Sequence, residues 1–333
     1  LAADAQAEVV RQILAQGERY GRNESGAVRR VLVEFVSSNP TGPLHVGHGR
    51  HGAFGASLSN ILDANGYSVH REYYINDAGR QVDILAVSVW LRYLEVLGEK
   101  FTFPANGYQG DYIREIAADL LQMVDQDLLR PEGEVFGNLP PDEPEGGDKE
   151  AYIDAVIARA RSLIGEDGFN VVAQLALKAI LADMENDLTE FGVTYDRWYS
   201  EASLATNGAI DRALDTLRKQ GHVYEKDGAQ WFRATAFGDE KDRVVVRENG
   251  VKTYFASDIA YHLDKRERGF DILLDVLGSD HHGYTARVRA GLEALGQPPG
   301  SLEVLLVQFV SLFRKGEKVP MSTRAGQFIT LRQ

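Results

Sequence analysis

Residues 35–55, FVSSNPTGPLHVGHGRHGAFG, carry three histidines and a run of glycines between an apolar strand-like segment and an apolar helix-like one. Gly47, Gly49 and Gly52 spell G-x-G-x-x-G, but a dinucleotide turn places its first glycine directly after the strand and an acid about 20 residues further on. Here about ten residues (SSNPTGPLHV) intervene, and the acid's place falls within Asn65-Gly66-Tyr67. His45, His48 and His51 stand three apart, a spacing that raises zinc; a helix of the H-E-x-x-H kind needs a glutamate between its histidines. No acid occurs between Phe35 and Ser59, so no metal ligand is expected. A third reading uses all of these residues. Two histidines at the start of a helix, with small residues at 47, 49 and 52, offer imidazole donors and free backbone N–H groups to an anion. Such a site suits charge developing on a phosphoryl group in transfer. Plain helix capping is the bland alternative, above all for His51, a bystander one turn further in.

The elements that must position these residues follow from periodicity. Residues 29–36 (RRVLVEFV) read as a strand buried on both faces, and 67–74 (YSVHREYY) as its neighbour. Helices are expected at 6–20, 46–64, 81–97 and 109–129, with Gly66 as a stop after the second. An acidic linker (131–148) precedes a mostly helical stretch, 149–220. Two hairpins are expected, turning at Asp227-Gly228 and Asn249-Gly250. Strands at 271–277 and 303–310, around a helix at 284–295, resume the α/β rhythm. The fold expected is an α/β Rossmann-like parallel sheet split by a mostly helical insertion, with ligands at the carboxyl ends of its strands. His45 and His48 and the segment GSDHHGY (278–284) would meet at that edge; together with His51 they hold five of the eight histidines.

Composition narrows the classes. The chain has 333 residues, 44% of them hydrophobic, a formal charge of −13 and no cysteine. The charge argues against indiscriminate nucleic-acid binding, and the missing cysteines exclude disulfides and thiolate zinc. No apolar run is long enough to span a membrane. A cytoplasmic location and a monomeric state are expected. The start at Leu1 and the stop after TLRQ read as those of a fragment.

Two signatures at opposite ends carry a family resemblance. HVGH (45–48) resembles the HIGH signature of class I aminoacyl-tRNA synthetases, and VPMSTRAGQFITL (319–331) resembles their KMSKS signature. With VEFVSSNPTGPLHVGH, REYYINDAGRQ, DRVVVRENGVKTYFASDIAYH and GSDHHGY, the chain is similar over nearly its whole length to the arginyl-tRNA synthetases. That resemblance implies ATP-dependent activation of L-arginine and its transfer to tRNA(Arg), with Mg²⁺ accompanying ATP. His45 and His48 would hold the ATP phosphates, Gly47 would admit the adenine, and Gln308 and Met321 would also meet the nucleotide. Glu34, Asn39, Tyr254 and Asp258 would bind arginine, with Asp280 and His281 completing that end. Tyr254 and Asp258 are four apart and share a helix face, as a guanidinium site of carboxylate and aromatic wall requires.

The second signature departs from the family form. Pro320 stands where the first lysine belongs and Thr323-Arg324 where the second does, while Ser322 is kept. Ser322 and Arg324 are therefore the catalytic candidates of that loop, with Lys315 and Lys318 as other sources of charge. The resemblance also implies domain limits: residues 1–25 as the trailing helix of an N-terminal tRNA-binding domain, 26–105 and 253–333 as the halves of the catalytic domain, 106–252 as the insertion, and an anticodon-binding domain beyond Gln333. Two rivals stay open, a non-catalytic homologue that binds nucleotide or amino acid, and a HIGH-type nucleotidyltransferase.

Overall fold

The computed structural model describes residues 3–319, 324, 326 and 328–333. Helix α1 (Ala3–Gln16) is exposed along its described length. The β-branched run then forms β1 (Arg30–Glu34), and α2 (Val46–Ala64) follows, ending in a turn at Gly66, whose φ of 81° suits glycine. β2 (Ser68–Ile75) and α3 (Arg80–Val96) complete the opening β-α-β-α unit. Next come α4 (Asp111–Val124), a short α5 (Glu132–Phe136) and α6 (Lys149–Glu190), broken at Gly165, where φ is 72°.

Two differences from the sequence reading follow. β3 (Arg197–Ser200) lies in the stretch read as helical insertion, yet pairs in parallel with β2 as an edge strand of the main sheet. Four residues are too few to show a period, and helical patterns flank them in α6, α7 (Ala202–Thr206) and α8 (Ala209–Lys219). The hairpin of β4 (Val223–Lys226) and β5 (Ala229–Phe232) turns as expected, with Asp227 and Gly228 both at positive φ (51° and 74°). β6 (Arg243–Val246), however, pairs with β5 to make a three-stranded sheet. The segment after Asn249-Gly250 makes only one bridge, Val246 to Lys252, before α9 (Tyr254–Glu267) begins. Thr253 caps that helix, taking the chain out of the hairpin before a second strand can form.

β7 (Ile272–Gly278), α10 (His282–Ala294) and β8 (Leu302–Val307) finish the main sheet, and β9 (Phe313–Arg314) with β10 (Glu317–Lys318) forms a small exposed hairpin. The sheet order is β3-β2-β1-β7-β8, all parallel. Strand order reverses between β1 and β7, so the ligand crevice of a doubly wound sheet opens at their carboxyl ends. Side chains alternate along β1: Val31 and Val33 join the core built with α3 and α6, whereas Leu32 joins Val288 and Leu292 of α10.

Helix α2 sits close against the sheet because Gly55 faces Phe35. A Cβ at residue 55 would lie 2.2 Å from Phe35 Cγ, and Phe35 is fully buried and stacked on Tyr195 at 4.7 Å. Gly55→Ala gains helix propensity but overpacks this contact, which costs about 1–3 kcal/mol. The expected result is a lower urea midpoint; an unchanged one would show that the Phe35 ring can move.

Candidate active site

The chain leaves β1 under strain. Val36 and Ser37 both have positive φ (68° and 42°), a conformation that is an outlier for a β-branched residue. Tyrosines hold it: Tyr195 Oη donates to the Phe35 carbonyl at 3.1 Å, and Ser38 N–H donates to Tyr73 Oη at 3.1 Å. The loop then lays Asn39, His45 and His48 around one small cavity of about 150 Å³, which Ser38, Thr41, Gly42 and Pro43 also line.

His45 is the N-cap of α2, and the two histidines cap each other. His45 Nδ1 accepts from Gly47 N–H at 3.1 Å, His48 Nδ1 accepts from His45 N–H at 3.2 Å, and the rings stack at 3.7 Å. Burial lowers both pKa values, that of His48 to about 3, so both rings are neutral. A neutral imidazole whose Nδ1 accepts carries its proton on Nε2. This revises the expected anion site. The Gly47 and His45 amides are occupied by the histidines themselves, and the donors left for a phosphoryl group are the two Nε2–H groups.

The glycines also have internal reasons. A Cβ at Gly47 would lie 2.8 Å from His45 Cε1, and one at Gly49 would lie 2.5 Å from Leu331 Cδ1. Gly47 thus seats the His45 ring, a requirement separate from the approach of adenine. Leu331 N–H donates to the Leu44 carbonyl at 2.7 Å, and Thr330 bridges His45. The end of the second signature is therefore strapped to the start of the first. His51 Nδ1 stays 3.0 Å from the Gly47 carbonyl, within its own helix.

A second cluster lies at the same edge. Tyr254 and Asp258 are in the first turns of α9; Tyr254 is exposed, with its hydroxyl beside Gly79. Asp258 is half-buried, and burial pushes its carboxyl up to about 7, aided by Glu201 and Glu34 and opposed by His262 and a bond from Tyr284. Glu201 follows β3 and is raised mainly by burial, with a bond from Tyr74. Glu34, at the end of β1, is turned inward: its Oε2 accepts from Lys265 at 2.6 Å, leaving Oε1 for a ligand. The Asn76 amide lies 3.1 Å from Asn39 and 2.8 Å from Glu201, linking the histidine cavity to the acids.

The remaining expectations scatter. His281 ends the 3-10 turn after β7, its ring edge-on to Tyr284 at 6.0 Å; Asp280 shares that turn, and its side chain lies outside the described residues. Gln308 follows β8, and its carbonyl accepts from Arg50 at 3.1 Å. Arg324 is drawn to the insertion: its guanidinium bonds to Asn106 and lies 4.0 Å from Glu150. Lys315 turns the exposed β9–β10 hairpin and Lys318 ends it. Pro320, Met321, Ser322 and Thr323 lie outside the described residues. Sequence reasoning missed Glu201, Tyr74, Tyr284 and Lys265; the one available signal was an acid, Asp275, inside the apolar run DILLDVL.

The chain is 59% identical to an arginine–tRNA ligase of Thioalkalivibrio sulfidiphilus, over all of this chain and 57% of that protein. It is 56% identical to one of Legionella pneumophila, over 99% and 56% respectively. The chain thus spans somewhat more than half the length of these curated relatives. Among solved structures, a Campylobacter jejuni chain assigned as an arginyl tRNA synthetase superposes with a TM-score of 0.82 at 32% identity, covering 99% of this chain and 65% of that one. The Thermus thermophilus arginyl-tRNA synthetase shares the fold, with a TM-score of 0.59 at 23% identity, over 91% and 51%. The family model for "tRNA synthetases class I (R), catalytic domain" matches residues 9–100 and 158–333, and the chain belongs to that family.

Proposed function

We propose that the chain is the catalytic core of an arginine–tRNA ligase, activating L-arginine with ATP and passing it to the terminal ribose of tRNA(Arg). One observation carries this reading: the neutral, mutually capped His45–His48 pair is linked through Asn39 and Asn76 to an acid-lined cluster suited to a guanidinium. The arginine carboxylate attacks the α-phosphorus of ATP; the bond to the bridging oxygen breaks and pyrophosphate leaves. The Nε2–H groups of His45 and His48 donate to phosphate oxygens as charge builds on them. Burial lowers the basicity of both rings, that of His48 to about 3, so their work is read as positioning and electrostatic. A ribose hydroxyl of tRNA then attacks the adenylate carbonyl, forming the ester and releasing AMP. Asp258 and Glu201 face the guanidinium, with Glu34 Oε1 and the Tyr254 hydroxyl as further partners.

Mg²⁺ enters on the phosphate oxygens of ATP; among the described residues no group of three or more His, Asp or Glu is arranged to hold an ion. The leaving pyrophosphate takes its cation from Lys315, Lys318 or Arg324, the last only after it leaves Asn106. The lack of cysteine favours a reducing compartment such as the cytoplasm. No described helix is long and apolar enough to cross a membrane.

ATP–pyrophosphate exchange with tRNA(Arg) present tests the reading. Exchange is expected with arginine and with no other amino acid. Exchange that prefers another amino acid sinks it, and ATP binding without exchange points to the non-catalytic homologue.

A further inference from the structure

Beneath the acid cluster runs a buried ion-pair chain that adenylate formation does not itself require. Lys265 is fully buried, and its Nζ donates to Glu34 Oε2 at 2.6 Å and to Asp275 Oδ1 at 2.9 Å. Asp275 Oδ2 lies 2.6 Å from His262 Nε2, and His262 Nδ1 lies 2.8 Å from the main-chain carbonyl of Asp258. One end of the chain is thus the Glu34 carboxylate and the other the backbone of Asp258. Stability alone does not explain it, because burying such charges costs several kcal/mol and an apolar replacement packs as well or better.

We propose that Lys265, acting with Asp275 and His262, is a positioning residue for recognition of the arginine side chain. It binds the Glu34 carboxylate through Oε2, and through Asp275 and His262 it fixes the turn of α9 that carries Asp258. Two carboxylates from different elements then meet one guanidinium in a set frame. This inference rests on the arginine-ligase reading.

The surrounding charges make the ammonium necessary. Lys265 faces Glu34 from β1, Asp275 from β7 and Glu72 from β2. On its own helix it lies 4.2 Å from the Tyr261 ring, whose hydroxyl is committed to Glu72 at 2.9 Å. The other cation nearby, Arg268, is also committed to Glu72, at 2.8 Å. From α10, Tyr284 faces His262 at 6.4 Å between ring centres. Without Lys265, Glu34 and Asp275 would face each other as buried like charges, and Glu34 would lose the bond that fixes its carboxylate.

The test measures arginine-dependent exchange in the full chain across about pH 6–9, with wild type, Lys265→Met and Asp275→Asn. For Lys265→Met the KM for arginine should rise at least ~10-fold at pH 7, with the KM for ATP within about twofold. Asp275→Asn keeps the shape and should show a smaller rise in the same parameter alone; it decides the matter if Lys265→Met does not fold. Equal changes in both KM values, or no change in either variant, would overturn the proposal. Wild type without arginine-dependent exchange removes the ligase reading and the proposal with it, an outcome visible before any variant is compared.

Discussion

Asp258→Asn raises the KM for arginine by roughly 100-fold at pH 8 and leaves the KM for ATP nearly unchanged, because it removes a charge-assisted bond from a low-dielectric site. Its carboxyl is held near 7 chiefly by burial. A guanidinium favours the ionised form, so arginine binding expels a proton, and the wild-type KM for arginine should climb as pH falls below about 7. Stability without arginine moves the other way. The folded pKa lies above the ordinary carboxyl value of 3.8, so the folded state prefers the neutral acid. The contribution is fully present below pH 4 and is lost as pH rises to 7. At about 1.4 kcal/mol per pKa unit the penalty is on the order of a few kcal/mol. Thermal unfolding of ligand-free protein should therefore show Asp258→Asn above wild type at pH 8 and level with it near pH 4. A variant that loses affinity for arginine and ATP alike would demote Asp258 to a structural acid.

The second large effect isolates chemistry from capping. His45→Asn keeps a good N-cap side chain, so α2 stays anchored and the melting temperature should shift little. It removes one Nε2–H, and loss of a single transition-state donor of this kind costs about 10²–10³ in kcat. Single-turnover adenylate formation should fall by that factor, with the KM for arginine unaffected. Since burial holds His48 down to about 3, its ionisation gives no inflection in the rate between pH 5 and 9. An inflection that His48→Asn abolishes would mean that His48 works as a base.

How much of this was readable beforehand depended on whether partners were local. Helix α2 was read with its observed limits, because its cap, its apolar spacing and its stop at Gly66 all lie within the segment. The α/β rhythm located four of the sheet's five strands and failed for β3, a tetrapeptide whose strand character comes from pairing with Glu72–Ile75. Glu201 was lost with it. Lys265 was hidden for a different reason. In the run YHLDKRE it looks like one more solvated charge, and Glu34, 231 positions away, draws it inward together with Asp275. Tyr254 and Asp258 were legible as a pair through their spacing, but the tuning of Asp258 was not, since it comes chiefly from burial, with acids on other elements adding to it.

The strap between Thr330 and His45 also sets an order of events. The histidine cap is local and can form as soon as α2 does, whereas its flank is closed by residues made almost a whole chain later. Until then the Leu44 carbonyl lacks its bond from Leu331. A growing polypeptide would hold its histidine pair long before it holds the pair in place, and residues made much later would finish the site made first.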